Sequence, residues 1–143
     1  MLTKNGKLCF GVANSSSTSV NYKNTSGNIQ QYSRTNLLTG AGAKYIAVGT
    51  GIIPVTLDDY KLENINTDVT QISNVCTFPT NYGDDYIAIV STTYKNNTES
   101  DITITELGFI ITYNQKILMA REIIEPTIIS ANGGTKTFTI QIG

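Results

Sequence analysis

Two charged residues interrupt apolar, β-branched runs: Glu106 in ITITELGFIITY, and Arg121, with Glu122 beside it, in KILMAREII. A carboxylate and a guanidinium placed this way can form a structural ion pair or act as paired charges in an active site. Catalysis would need a nucleophile or a second proton carrier close by, and the flanking residues supply none. The chain has no histidine, which removes the usual general base near neutral pH and the commonest metal ligand. Cys9 and Cys76 fit no metal-ligand spacing and are expected as separate buried thiols, with a disulfide between them possible but unsupported. Glycoside hydrolysis needs two facing carboxylates, whereas the expected partner of Glu106 is a cation. The residues read as those of a non-enzymatic protein, with no catalytic residue, no metal and no cofactor.

Three further groups invite a chemical reading. Asp58, Asp59 and Glu63 are close enough in sequence to suggest Ca²⁺, but the EF-hand spacing is absent. Acidic residues in the first turn of a helix are favoured by its dipole alone. The run Gly49-Thr50-Gly51 looks like a phosphate loop, yet no Lys-Ser/Thr and no long helix follow. Its glycines are expected to permit positive φ or a close backbone approach. Asp84 and Asp85, flanked by Tyr82 and Tyr86, form a candidate ligand loop, and tyrosines there could stack on a sugar.

The elements that would position these groups are strands. Thr, Ile, Asn and Ser dominate the 143 residues, and β-branched residues favour pleated sheet over helix. A net charge of −1 with only 15% charged residues, the basic ones scattered, argues against a nucleic-acid partner. No run approaches the ~20 apolar residues of a membrane span, and no export signal is visible. The expectation is a soluble protein made in a cytosol, whose Asn-x-Ser/Thr matches at Asn14, Asn24 and Asn96 carry no glycan.

Residues 1–43 form either short edge strands, at Val20–Lys23 and Ile29–Ser33, or an arm ordered against a neighbouring subunit. Residues 44–143 form the main domain. Lys44–Thr50 is its first strand. Pro54 breaks the ladder, and Thr56-Leu57-Asp58-Asp59 fits a capping box, which predicts one or two helical turns over Leu57–Asn64 with Leu57, Tyr60 and Leu62 inward. Asp68–Phe78 has no purely apolar face and suits an edge-proximal strand; Tyr86–Tyr94 is a buried one. Asn132-Gly133-Gly134 is a turn, and in Thr135–Ile142 the residues Phe138, Ile140 and Ile142 face in.

Between them lies a long hairpin, Ile102–Tyr113 and Lys116–Ile124, closing on Asn114-Gln115. That turn sets Tyr113 opposite Lys116, Ile110 opposite Met119 and Gly108 opposite Arg121, with Glu106 diagonal to Arg121. A bidentate, partly buried Glu106–Arg121 pair is predicted, with Gly108 leaving space for the arginine. The apolar phase slips within the first strand, from Ile102 and Ile104 to Leu107, Phe109 and Ile111. The slip means a β-bulge near Glu106–Gly108 or burial on both faces, the latter suiting a strand covered by another subunit.

Seven or so strands with regular turn signals describe an antiparallel β-sandwich of jelly-roll or Ig-like type, about seven to eight strands in all. The segment YIAVGTGIIPVTLDDYKLEN, followed by NNTESDITITELGFIITYNQKILMAREIIEPTIISANGGTKTFTIQI, resembles a module of tailed-bacteriophage virion proteins. The two signatures occur in order over residues 45–142, and residues 1–43 lie outside them. The resemblance implies a capsid decoration, head-fibre, neck or tail component, located in the virion. It further implies a homo-oligomer, with a trimer as the first expectation, in contact with other virion proteins and with neither nucleic acid nor membrane. The alternative within the same setting is a carbohydrate- or receptor-binding module of a phage fibre.

Overall fold

The computed structural model describes residues 1–10, 19–33, 36–37, 42–77 and 88–142. Strands hold 58% of them, against one seven-residue helix, so the protein is all-β. The elements are α1 (Lys4–Phe10), β1 (Ser19–Lys23), β2 (Ile29–Ser33), β3 (Lys44–Gly49), β4 (Thr70–Thr77), β5 (Ala88–Asn96), β6 (Ile102–Tyr113), β7 (Gln115–Ile129) and β8 (Gly134–Ile142). They form a β1-β2 hairpin and two three-stranded antiparallel sheets, β3-β6-β7 and β4-β5-β8.

One face of β3-β6-β7 contributes Ile46, Val48, Leu107, Phe109 and Ile111 to an apolar cluster that also contains Val90, Tyr94, Phe138 and Ile140 of β4-β5-β8. Buried polar bonds tie the sheets together. The Ile46 amide donates to Thr92 Oγ1 (2.9 Å), and the Tyr94 hydroxyl donates to the Ile46 carbonyl (2.7 Å). Burial around the Tyr94 hydroxyl raises its pKa, and a neutral donor suits this bond.

The β6–β7 hairpin differs from expectation at its tip. Tyr113 pairs with Gln115, so the turn is one residue tighter than Asn114-Gln115 would give. Asn114 alone occupies it, at φ 60°, a left-handed conformation that asparagine tolerates. Ile110 therefore faces Leu118, not Met119, and a bulge between Phe109 and Ile110 absorbs the offset by leaving Met119 over. Beyond it the two errors cancel, and Gly108 faces Arg121. A second irregularity falls between Ile104 and Glu106, opposite the stretch holding Pro126, which has no N–H for the ladder. The phase slip thus has both causes: a bulge, and burial of residues 106–111 on both faces. The second face is covered by the chain's own 50–67 segment, through Leu62 packed with Ala47, Ile110 and Leu118.

That segment contains no helix. Residues 57–58 form a turn, Leu57 is exposed, Tyr60 half-buried and Leu62 buried. Half of the capping box forms: Thr56 N–H donates to Asp59 Oδ2 (2.9 Å), but the Thr56 hydroxyl donates to Asp59 Oδ1 (2.9 Å) and the Asp59 amide donates to the Thr56 carbonyl. Downstream, the amides of Glu63 and Asn64 donate to the Glu106 carboxylate instead of to helical carbonyls. Tertiary acceptors override the local helix signal. The helix that does form, α1, is capped by Thr3, whose hydroxyl accepts from Gly6 N–H (3.2 Å).

Residues 1–33 pack on the main domain where they are described. Cys9, Tyr22 and Tyr32 join the same apolar cluster, and the buried Asn5 side chain exchanges two hydrogen bonds with the Lys23 backbone. Cys9 and Cys76 are not joined in a disulfide. At the β7–β8 turn Gly133 takes φ +101°, beside Asn132 at 58°, and a side chain on Gly134 would strike the Ser130 carbonyl. Among the described residues no helix is long and apolar enough to cross a membrane.

Candidate functional site

Glu106, Gly108 and Arg121 share the face of β3-β6-β7 that lies beneath residues 50–64, because cross-strand partners project to the same side. Arg121 is 2% exposed and Glu106 0%. Arg121 Nε donates to Glu106 Oε2 at 3.0 Å. The contact is not the bidentate fork expected, since the other two guanidinium nitrogens are engaged elsewhere. One donates to Asp59 Oδ2 (3.0 Å); the other donates to the Ile53 carbonyl (3.0 Å) and lies 3.6 Å from Glu63 Oε2. The acidic cluster considered for Ca²⁺ therefore has a cation already: two of its three carboxylates surround Arg121.

Glu106 is equally committed. Its Oε1 accepts from Gly51 N–H (3.1 Å) and Asn64 N–H (2.7 Å), and its Oε2 also accepts from Glu63 N–H (3.1 Å). Three backbone donors and one guanidinium satisfy a carboxylate that has no access to water. The glycines of Gly49-Thr50-Gly51 follow from this. Neither has positive φ; a Cβ on Gly49 would lie 2.5 Å from Glu106 Oε1, and one on Gly51 2.6 Å from the same atom. Close backbone approach to Glu106 is their requirement. Gly108 serves another neighbour than expected. A Cβ there would lie 2.6 Å from Leu62 Cδ2 and 2.8 Å from Leu118 Cδ1, so the space it leaves is filled by leucines and not by Arg121.

Electrostatics follow the geometry. Burial works against the charge on Arg121, but its bonds and proximity to Glu106 and Asp59 outweigh that and raise its pKa further. Burial likewise pushes the Asp59 carboxyl up. Bonds from the Thr56 backbone and hydroxyl and from Arg121 outweigh it and hold Asp59 below the ordinary carboxylate range.

The cluster's effect is to fix the backbone of the loop above it. Glu63 Oε2 accepts from the amides of Ile52 (2.7 Å) and Ile53 (2.8 Å), and Arg121 holds the Ile53 carbonyl. Thr105 Oγ1 donates to the Gly51 carbonyl (2.8 Å). The side chains of this pinned loop point the other way: Ile52 is 72% exposed and Ile53 57%. Met1, Ile52, Pro54, Val55 and Ile123 line an open groove there of about 480 Å³, with the charged Arg121 and Glu122 at its wall. A hydrogen-bonded backbone presents exposed isoleucines, and the exposed Glu63 together with the buried Arg121 holds it in place.

Asp59 and Glu63 are partners of Arg121 that the local sequence pattern does not reveal. Their signal was the unexplained acidic cluster beside a lone arginine of the opposite sign. The candidate ligand loop at Tyr82, Asp84, Asp85 and Tyr86 lies outside the described residues. A second cleft, of about 560 Å³, opens between α1, β1 and the 58–60 turn and is lined by Lys4, Leu8, Lys23, Asp58 and Tyr60. Lys23 Nζ sits 4.2 Å from the Tyr60 ring centroid, covering a face on which a ligand could stack. Comparison of the chain with protein families, curated proteins and solved structures finds no match.

Proposed function

We propose that this chain is a non-enzymatic structural protein of a tailed-bacteriophage particle, a capsid decoration or head-fibre subunit or a neck or tail component. On this reading it is an antiparallel β-sandwich of about seven or eight strands, made in the host cytoplasm and incorporated in the virion as a homo-oligomer beside other virion proteins. The sequence resemblance over residues 45–142 supplies the setting. The observation that carries an assembly role is the loop at Ile52 and Ile53, apolar, exposed and pinned by Glu63 and Arg121. Exposed apolar surface on a fixed backbone suits a repeated contact, because little conformational entropy remains to be lost on docking. The two buried charges among the described residues, Glu106 and Arg121, support the non-enzymatic reading, since each is committed to hydrogen bonds within the chain.

The test is localisation. Immunogold labelling or cryo-EM of purified phage particles should place the protein at repeated positions. Ile52→Asp combined with Ile53→Asp should reduce its co-sedimentation with particles while leaving the fold intact by circular dichroism. A protein that never accompanies particles would remove the proposal.

A further inference from the structure

The two three-stranded sheets have four edges, and three are visibly guarded. Along β3, the Lys44 carbonyl accepts from Asn74 Nδ2, Ile46 is bonded at both groups by Thr92 and Tyr94, the Val48 carbonyl accepts from Asn66 N–H, and Gly49 bridges Ile65. On β7, residues 1–3 pair with 119–121, and the free half carries Glu122, Glu125 and Pro126. β8 carries an exposed Lys136. These are the usual defences of a sheet edge: cover, charge and proline.

Among the described residues, β4 has almost none of them. Its eight residues, TQISNVCT, contain no charge and no proline, and all but Cys76 are exposed. Ile72 is 51% exposed and Val75 63%. The one defence is the bulge between Gln71 and Ser73; from Ser73 to Thr77 the register with β5 is unbroken. Alternate residues of that run turn N–H and C=O away from β5. The outer face beside the edge is also nearly neutral. Ile89, Ser91 and Thr93 of β5 and Thr135, Thr137 and Thr139 of β8 follow on from Val75 and Ser73, with Lys95 as the charged member.

We infer that the β4 edge is an interaction surface whose occupant is β4 of a second copy, paired antiparallel across a two-fold axis. In an isologous contact each charge near the axis meets its own like charge. A neutral strand beside a nearly neutral face is what such pairing tolerates, and the β-branched Ile72, Val75 and Thr77 suit the added ladder. Pairing of this kind closes as a dimer, in contrast to the trimer the resemblance suggests. It gives the proposed assembly role an interface and rests on that reading only for its biological setting.

Sedimentation equilibrium of the full chain tests it. The parent should dimerise, and Val75→Lys, which sets two ammonium groups at the axis, should weaken dimerisation by at least about tenfold. Ile128→Lys, an equal charge at an exposed position of β7 away from both surfaces, should leave it unchanged. Hydrogen exchange supplies a measurement independent of any variant: β4 amides should gain protection as protein concentration rises. A chain monomeric at every concentration, association indifferent to Val75→Lys, or β4 protection that appears only with particles would each overturn self-pairing. Absence from particles would remove the virion reading and leave the dimer standing; a monomer found on particles would do the reverse.

Discussion

Arg121 Nε lies 3.0 Å from Glu106 Oε2, with both side chains buried between the β6–β7 hairpin and residues 50–64. Removing one member of such a pair leaves an uncompensated buried charge, at a cost of about 3–5 kcal/mol. Arg121→Met should lose stability in that range by urea denaturation. Glu106→Leu should lose at least as much, because it also strands the amides of Gly51, Glu63 and Asn64, at about 1–3 kcal/mol for each group left unbonded. An Arg121→Met variant within about 0.5 kcal/mol of the parent, the range of an ordinary surface change, would show that the cluster does not hold the fold.

The adjacency of these two residues was legible because strand parity is robust. The turn is one residue tighter than expected and Met119 is bulged, yet the two changes cancel before Gly108 and Arg121. β4 was legible as an edge because neither of its faces is apolar. Asp59 was not legible as a partner of Arg121, because it lies 62 residues away and its local pattern fits a helix cap as well as a turn. The Thr56–Asp59 bonds form in either case; the acceptors on Glu106 decide against the helix. Residues 1–33 were opaque because their apolar residues come singly. Tyr22 and Tyr32 find the core only after the β1–β2 hairpin sets them on one face.

The depressed Asp59 carboxyl makes part of the stability depend on pH. Its folded pKa lies below the unfolded value of about 3.9. Its contribution is therefore complete above the unfolded pKa and is lost as pH falls through the folded one. The stability gap between the parent and Asp59→Asn should be constant from neutral pH to about pH 5, then shrink as the buffer is taken lower. Urea titrations of both proteins across that range measure it directly. A gap that persists unchanged in acid would mean that Asp59 does not bond as an anion.

Cys76 should be a poor nucleophile. Burial pushes its thiol up to about 11, with Lys44 opposing the shift only in part. Against a free cysteine of pKa about 8.5, iodoacetamide labelling near neutral pH should be slower by roughly two orders of magnitude. Cys9, fully buried, should react only on unfolding, after which two thiols titrate without added reductant. Labelling of Cys76 at the rate of a free thiol, read by mass spectrometry, would contradict its placement against the core.

Gly108 distinguishes two accounts of why this face of the sheet is hollow. If the hollow served Arg121, a methyl group there would disturb the ion cluster and no change at Leu62 would relieve it. The geometry points to Leu62, whose Cδ2 lies 2.6 Å from a Cβ on Gly108. Gly108→Ala should therefore overpack the site and lose about 1–3 kcal/mol. Leu62→Ala should lose about 2–5 kcal/mol through its cavity. Combined, the two should cost less than their sum by about 1 kcal/mol, because the alanine methyl enters space the leucine has left. Leu118 Cδ1, at 2.8 Å, limits that relief and keeps the double variant below the parent. Strict additivity in the cycle would return the hollow to Arg121.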